Sequence, residues 1–191
     1  SIEKYPLPWD KRDIDIAMDS WITHEFKHSW MQENWKLTLL NAGHIPGAGM
    51  LKVETDDKNI LFTGDFDTRN SPLTKGAKPE DVDILFIEGT YGGRNHADQE
   101  LELSRFIDNV IRVTDNGGTV LIPAFANGRT QDMMMRLHQN CPELDVHIDG
   151  MGKRITKLHL EHNQFLRNPS ALNDAWNWSK RVSSKSDRKK A

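Results

Sequence analysis

The sequence predicts an α/β fold, on three observations. Apolar runs separated by turn residues lie between residues 36 and 63, which is typical of a meander of strands. Strand-like and helix-like segments then alternate between residues 83 and 150, as they do in parallel α/β layers. Hydrophobic residues make up 37% of the 191 residues, which is enough for one core. No apolar stretch approaches the roughly 20 residues of a membrane-spanning helix, so no membrane partner is expected.

Charge and cysteine content narrow the cellular setting. The net charge is -3, yet the end of the chain, 180–191, is strongly basic. Nucleic-acid contact by this tail is one hypothesis, and an ordinary solvated end is the other. The single cysteine, Cys141, excludes an internal disulfide and a cysteine-based zinc site, which favours a reducing compartment such as the cytoplasm. Any metal must therefore be bound by carboxylates and by the 8 histidines.

The first half of the chain predicts strands after an irregular start. The first forty residues are rich in tryptophan without a clean period, which predicts short helices and loops before the strand signals begin at Lys36. A loop rich in glycine and proline, 41–49, separates the first two predicted strands. The three strands predicted from apolar runs are 36–40, 50–54 and 60–63.

The second half predicts strands that alternate with helices. Residues 82–87 form an almost continuous apolar run, which predicts a strand buried on both faces. Apolar residues at helical spacing predict helices at 99–113 and 130–140. Further apolar runs predict strands at 119–125 and 146–148, which completes a parallel strand-helix-strand-helix-strand order.

Polar residues follow several predicted strands, which is where α/β proteins commonly bind ligands. Asp65 and Glu88 each follow a strand, and His44 lies in the glycine-bracketed loop after an earlier one. A histidine and a carboxylate at the ends of strands of one sheet can bind one metal ion. A Gly-His pair in a loop is nevertheless more often structural.

Four motifs in a fixed order resemble the metallo-β-lactamase-fold nucleases that carry a β-CASP domain. They are Asn-Ala-Gly-His-Ile-Pro-Gly-Ala-Gly at 41–49, Phe-Thr-Gly-Asp-Phe at 62–66, Ile-Glu-Gly-Thr-Tyr-Gly at 87–92 and Ile-Pro-Ala-Phe-Ala-Asn-Gly-Arg-Thr-Gln at 122–131. The resemblance points to archaeal relatives of the cleavage and polyadenylation specificity factor endonuclease and of ribonuclease J. It implies part of a metallo-β-lactamase αββα sandwich, followed by the first part of a Rossmann-like β-CASP inserted domain.

The resemblance also implies a metal site and a reaction. His44 corresponds to a zinc ligand of the family, Asp65 to the carboxylate that bridges two zinc ions, and Glu88 to an acid at the rim of the metal centre. In the family, the two ions activate a water molecule for attack on phosphorus. The implied activity is a zinc-dependent ribonuclease of RNA 3'-end processing or decay, with Asp65 and Glu88 as its catalytic residues here.

RNA is the implied partner. The loop around Asn127 opens a predicted helix, so its backbone N–H groups and Arg129 are candidates for binding a backbone phosphate. Phe125 completes this candidate RNA-binding set. The alternative for Arg129 is an ordinary surface arginine.

The family's His-x-His-x-Asp-His segment, which supplies most of the zinc ligands, does not occur in these 191 residues. His44 and Asp65 alone should bind zinc weakly, because zinc sites need three or four protein ligands. We therefore expect 1–95 to be the C-terminal portion of the metallo-β-lactamase domain and 96–191 the N-terminal portion of the β-CASP domain, in a chain inactive by itself. A complementing half or a homo-oligomer would complete the site. The alternative is a metal-free degenerate homologue that acts as a binding or scaffold subunit.

A second metal motif competes with this interpretation. Residues His24, Glu25 and His28 fit H-E-x-x-H, the zincin peptidase signature, in which one helix presents both imidazoles and the glutamate is the general base. Such a peptidase needs a third ligand, and nothing in the sequence marks one. The competing interpretation is a short surface helix without metal.

Overall fold

The computed structural model describes residues 8–184 and 187, and within them it is a mixture of strands and helices, as predicted. Helix α1 (Lys11–Asp19) is followed by strands β1 (Ser29–Gln32), β2 (Trp35–Asn41), β3 (Gly49–Glu54), β4 (Asn59–Phe62) and β5 (Ile84–Phe86). Then come α2 (Gln99–Asp115), α3 (Arg129–Asn140), β6 (His147–Ile148), α4 (Gly152–Glu161), a 3₁₀ turn at Asn163–Phe165, α5 (Pro169–Trp178) and β7 (Lys180–Arg181).

The first half folds as a five-stranded sheet in the order β1-β2-β3-β4-β5. Neighbouring strands from β1 to β4 are antiparallel, and β5 pairs parallel to β4. The predicted strands at 36–40, 50–54 and 60–63 are thus confirmed as β2, β3 and β4. The inner sheet face packs in a cluster of Ala42, Met50, Leu61 and Ala77.

The two predicted helices are confirmed as α2 and α3. Asp98 caps α2 by accepting a hydrogen bond from the Leu101 N–H at 2.9 Å, which satisfies an amide that lacks a partner within the helix. The buried stripe of α2, with Ile107 and Val110, packs against Leu137 and Cys141 at the end of α3. The apolar spacing that predicted each helix is therefore the spacing of its buried face.

The buried strand predicted at 119–125 is wrong. This segment has no strand partner among the described residues, and Leu121 is 89% exposed and Phe125 82% exposed. Val120 and Ile122 do pack on the cluster formed by α2 and α3. Every second side chain therefore packs inward, as in a strand, although no strand pairs with this segment among the described residues. The strand predicted at 146–148 is confirmed as β6, but it pairs with β7 and not with β5, so the parallel strand-helix-strand-helix-strand order predicted for 83–150 forms only in part.

The apolar run at 82–87 does form a strand, but its burial on both faces is wrong. Leu85 is 50% exposed and Phe86 is 54% exposed, and β5 lies at the edge of the sheet. Phe86 stacks on Phe62 of β4, with ring centroids 4.6 Å apart. The apolar run at 82–87 therefore predicted a strand correctly, but the burial of that strand depends on the strands and helices packed against it.

The irregular start and the end of the chain also differ from the prediction. Residues 29–32 form β1, which hairpins onto β2, whereas only loops and short helices were predicted there. Helix α1 has no buried residue. Helices α4 and α5 were not predicted. Leu160 of α4 and Leu172 and Ala175 of α5 pack in one cluster with Met134 of α3, which stabilises both helices.

The sheet and the helices share part of one core. Leu73, in the loop between β4 and β5, is buried among Met134 and Met135 of α3. The Arg167 N–H donates to the Leu73 carbonyl at 2.8 Å, and the Arg167 guanidinium donates to the Ser71 carbonyl at 2.9 Å. This loop thereby fixes the helices against the edge of the sheet where the candidate site lies. None of the helices in the described ranges is long and apolar enough to cross a membrane.

Candidate metal centre and nucleic-acid interface

The sheet brings the predicted metal residues to one edge. Strands β2 and β4 are both antiparallel to β3, so they run in the same direction, and β5 runs parallel to β4. The carboxyl ends of β2, β4 and β5 therefore lie at the same end of the sheet, which is called the sheet edge below. Other α/β proteins commonly bind ligands at the carboxyl ends of their strands. His44, Asp65 and Glu88 follow these three ends.

The loop that carries His44 is held by hydrogen bonds to the segment after β4. The Asn41 side chain donates to the Lys75 carbonyl at 2.8 Å and accepts from the Gly43 N–H at 3.3 Å. The Thr74 hydroxyl donates to the Gly43 carbonyl at 3.0 Å in a buried position. These bonds fix the backbone directly before His44, which favours a preorganised side chain over a mobile one.

Gly43 is required by this packing. It has φ +73°, and a Cβ there would lie 2.3 Å from the Asp67 carbonyl oxygen and 2.6 Å from the Ala77 nitrogen. We expect Gly43→Ala to lower the free energy of unfolding by about 1–3 kcal/mol more than Gly47→Ala, measured by urea denaturation. Gly47 is the matched control, because it has φ +84° but a Cβ there would meet nothing within 4 Å. Equal losses in the two variants would show that the close approach is not needed.

His44 and Asp65 face each other. The His44 Nε2 atom lies 3.9 Å from the Asp65 Oδ2 atom, and the two side chains are 36% and 72% exposed. A nitrogen and an oxygen ligand of one tetrahedral zinc ion would lie about 3.4 Å apart. The two atoms would therefore have to approach each other by about 0.5 Å to bind one zinc ion, which two partly exposed side chains can do by small rotations.

Glu88 lies beside this pair with its carboxylate already organised. Its side chain accepts a hydrogen bond from the Thr90 N–H at 2.7 Å, and its own N–H donates to the Thr63 hydroxyl at 3.3 Å. These hydrogen bonds from Thr90, with a smaller contribution from the charge of His44, lower the pKa of Glu88. The lowered pKa keeps Glu88 ionised at neutral pH.

Behind His44 a small cavity of about 60 Å³ leads to the start of α3. It is lined by His44, Asp67, Arg69, Arg129 and Asp132, among other residues. Asp67 accepts two side-chain hydrogen bonds from Arg69, at 3.0 and 2.8 Å. Burial acts to raise the pKa of Asp67, but the Arg69 hydrogen bonds and the charges of Arg69 and Arg129 outweigh it, so the pKa is lowered. Asp67 and Arg69 were not predicted from the sequence, although an Asp-x-Arg pair in the loop after β4 was the available signal.

The predicted RNA-binding loop is held by a buried glutamine. Gln131, 0% exposed, accepts from the Gly128 N–H at 2.8 Å and donates to the Ala126 carbonyl at 3.0 Å. The N–H groups of Arg129 and Thr130 donate to the carbonyls of Asn127 and Phe125. The amides of residues 128–130 are therefore used within the loop, so the exposed Arg129 side chain is the better candidate for a phosphate than these three N–H groups.

The zincin interpretation is wrong, because the helix it needs is absent. His24, Glu25 and His28 lie in an irregular segment with a turn, in which Lys27 has φ +67°. His24 stacks on Trp30 with ring centroids 3.8 Å apart, and His28 Nδ1 lies 3.2 Å from a Glu25 oxygen. The surface helix considered as the alternative is also absent.

The donors at the sheet edge account for only part of a zinc site. Among the residues that the structure describes, no group of three or more His, Cys, Asp or Glu side chains is placed to hold a metal ion. The imidazole of His44 and the carboxylate of Asp65 fit the chemistry of zinc, but zinc sites need three or four protein ligands. The remaining part of the basic tail, residues 185, 186 and 188–191, lies outside the described residues, so its predicted nucleic-acid contact rests on sequence alone.

Comparison with known proteins gives related sequences along almost the whole chain. No family model matches. The chain is 33% identical to "RNase aCSPSF2" of Saccharolobus solfataricus, over 97% of the chain and 38% of that protein. It is 34% identical to "Probable RNase MJ4" of Methanocaldococcus jannaschii, over 99% of the chain and 45% of that protein. It is 35% identical to "Cleavage and polyadenylation specificity factor subunit 3" of Dictyostelium discoideum, over 69% of the chain and 17% of that protein. The chain thus spans less than half the length of each of these relatives.

Proposed function

Because this chain belongs to the β-CASP family of metallo-β-lactamase-fold proteins, we propose that it is part of a zinc-dependent ribonuclease that hydrolyses phosphodiester bonds in RNA. The observation that carries the proposal is the convergence of His44 and Asp65, 3.9 Å apart, at the sheet edge where Glu88 also lies. Two of the relatives are named as ribonucleases, and this supports RNA as the substrate. RNA 3'-end processing or decay in the cytoplasm is the proposed setting.

In this proposal, His44 and Asp65 would be the zinc ligands that this chain supplies, and the Asp65 carboxylate would be shared by the two ions of the family's site. Bound zinc would supply a strong Lewis acid and a hydroxide-like nucleophile at neutral pH. The open side of Asp65, 72% exposed, leaves room for a phosphate group. The ionised Glu88 carboxylate beside His44 can orient a water molecule by accepting a hydrogen bond from it, whereas its lowered pKa makes it a weak general base. Arg129, with Asn127 and Phe125, binds the RNA backbone across the cavity and neutralises phosphate charge.

We also propose that the site is completed from outside these residues. The domain assignment keeps 1–95 as the C-terminal portion of the metallo-β-lactamase domain and 96–191 as the N-terminal portion of the β-CASP domain. A segment with the family's His-x-His-x-Asp-His motif, in the same polypeptide or in a complementing subunit, supplies the other ligands. This arrangement agrees with the two-donor set among the described residues.

The test combines zinc analysis with RNA cleavage. We expect the purified 191-residue chain to hold much less than one zinc ion by elemental analysis and to leave a labelled single-stranded RNA uncut. Addition of an N-terminal half that carries the missing motif should give two zinc ions per complex and cleavage that EDTA abolishes. Full zinc content and cleavage by the chain alone would contradict the proposed incompleteness. A reconstituted complex that binds RNA without zinc or cleavage would favour the degenerate scaffold subunit.

A further inference from the structure

A second surface with nucleic-acid chemistry lies on α4, α5 and β7 and contains none of the predicted metal residues. It consists of Lys153, Arg154, Lys157, Arg181 and Trp176, which together are termed the basic patch. They line an open groove of about 540 Å³ together with Ser183. None of the four family motifs includes the three cations of α4. Four cations and an aromatic ring around one groove are a combination that suits a polyanion with planar groups.

The charges of the basic patch are only partly neutralised. Lys153 lies 3.5 Å from Asp149, donates to the Val182 carbonyl, and lies within electrostatic range of Asp187. Arg154 and Lys157 are exposed, and neither forms an ion pair within the described ranges. The two cations that point to solvent are therefore available for phosphate groups, whereas Lys153 is mainly structural.

Arg181 and Trp176 form a fixed platform within the patch. The guanidinium carbon of Arg181 lies 4.8 Å from the centroid of a Trp176 ring. The same guanidinium donates to the carbonyls of Trp176 at 2.8 Å and Ser179 at 2.6 Å. A guanidinium held in this way keeps its charge and its planar face in one place, so little conformational entropy is lost when a base or phosphate binds.

The basic patch is connected to the predicted RNA-binding loop through the start of α4. The Gln131 amide that organises that loop also donates to the Gly152 carbonyl at 3.3 Å and to the Thr156 hydroxyl at 2.9 Å. Gly152 packs so closely on Thr130 that a Cβ there would lie 2.7 Å from the Thr130 Cγ2 atom. The N-terminal ends of α3 and α4 are thus locked together, which places Arg129 and Lys153 on adjoining helix starts.

We propose that the basic patch binds the sugar-phosphate backbone of single-stranded RNA, as an extension of the strand that contacts Arg129. This inference rests on the proposed ribonuclease function for its choice of polymer. RNA is favoured over an acidic protein for two reasons. The exposed Arg154 and Lys157 lie one helical turn apart on α4, so they can bind phosphate groups of one strand, and the Arg181–Trp176 pair offers a stacking surface for a base.

The test measures RNA binding without cleavage. The 191-residue chain is titrated in EDTA into a fluorescein-labelled uridine oligonucleotide, and anisotropy is followed at several salt concentrations. Arg154→Gln with Lys157→Gln is expected to weaken binding about tenfold at low salt and to reduce the slope of log K against log salt by about 1.4, the value for two phosphates on a single strand. The control, Arg105→Gln with Arg112→Gln on α2, removes the same net charge and should leave affinity within about twofold and the slope unchanged.

Two outcomes would overturn this inference. Equal losses in the patch variant and the α2 control would show a general charge effect. Competition by polyglutamate as effective as competition by unlabelled RNA would assign the patch to an acidic protein. Thermal unfolding of each variant, with unchanged midpoints, shows that the fold is intact. Because EDTA removes any metal, failure of the zinc and cleavage test would leave this binding result unaffected, so the two proposals fail separately.

Discussion

His44→Ala and Asp65→Ala are each expected to lower RNA cleavage by the completed protein more than about 100-fold, and to reduce its zinc content in parallel. Loss of residues that merely support metal ligands costs about 10–100-fold, so loss of a ligand itself should cost more. Zinc is measured by elemental analysis after dialysis, and cleavage by single-turnover assay with labelled RNA.

Glu88→Gln should keep zinc but lower cleavage about 10–100-fold, because Glu88 lies beside the ligands and carries the ionised carboxylate.

His24→Ala and Asp57→Ala are the matched controls for these variants. His24 is an exposed histidine outside the sheet edge, and Asp57 is an exposed aspartate in the turn between β3 and β4. Both should retain zinc and full cleavage. If His24→Ala lost zinc while Asp65→Ala retained it, the metal would lie at the His24–His28 segment and the sheet-edge site would be refuted.

Arg136→Met is expected to lower the free energy of unfolding by about 3–5 kcal/mol, the usual cost of removing one partner of a buried ion pair. The Arg136 Nε atom donates to Asp132 Oδ2 at 2.9 Å, and the two side chains are only 9% and 8% exposed. The other carboxylate oxygen, Asp132 Oδ1, is buried and has no hydrogen-bond partner among the residues that the structure describes. The arginine is therefore the main compensation for a buried charge in the wall of the cavity behind His44. Urea denaturation monitored by circular dichroism measures the effect.

Two comparisons make this prediction specific. The double variant Asp132→Leu with Arg136→Met removes both charges and should recover most of the lost stability, because an apolar pair of similar volume packs without an orphaned charge. Arg105→Met removes the exposed pair with Glu102, 2.7 Å long, and should cost no more than about 1 kcal/mol. A cost for Arg136→Met as small as that for Arg105→Met would show that Asp132 is not held as a buried anion.

The parts of the candidate site that the sequence predicted are those marked by local chemistry. His44, Asp65 and Glu88 each follow a strand end, and the sheet does bring these three ends to one edge. Asp67 and Asp132 were not predicted, because the first is defined by its contact with Arg69 and the second by burial on a helix. The part that such residues play in the site depends on side-chain contacts and burial, which the order of the residues in the sequence does not show.

The failures of the fold prediction have a shared cause. The runs at 82–87 and 119–125 have the composition of buried strands, yet the first lies exposed at a sheet edge and the second pairs with no strand among the described residues. The His24–His28 motif likewise matches a helical signature but folds as a turn, stacked on Trp30. The composition of a segment indicates whether it tends to be extended or buried. Whether it pairs with a strand or is covered by a core depends on residues far away in the sequence.

By itself, the sequence determined the turns, the helical faces of α2 and α3, the strands of the meander and the family motifs, because each depends on residues within a few positions of one another. Only the tertiary structure decided which strands pair, which apolar runs are buried, how Gln131 links the starts of α3 and α4, and that cations of α4 and β7 share one groove. These features require long-range contacts, whose free energy depends on the geometry of both partners and is not encoded in the spacing of either one.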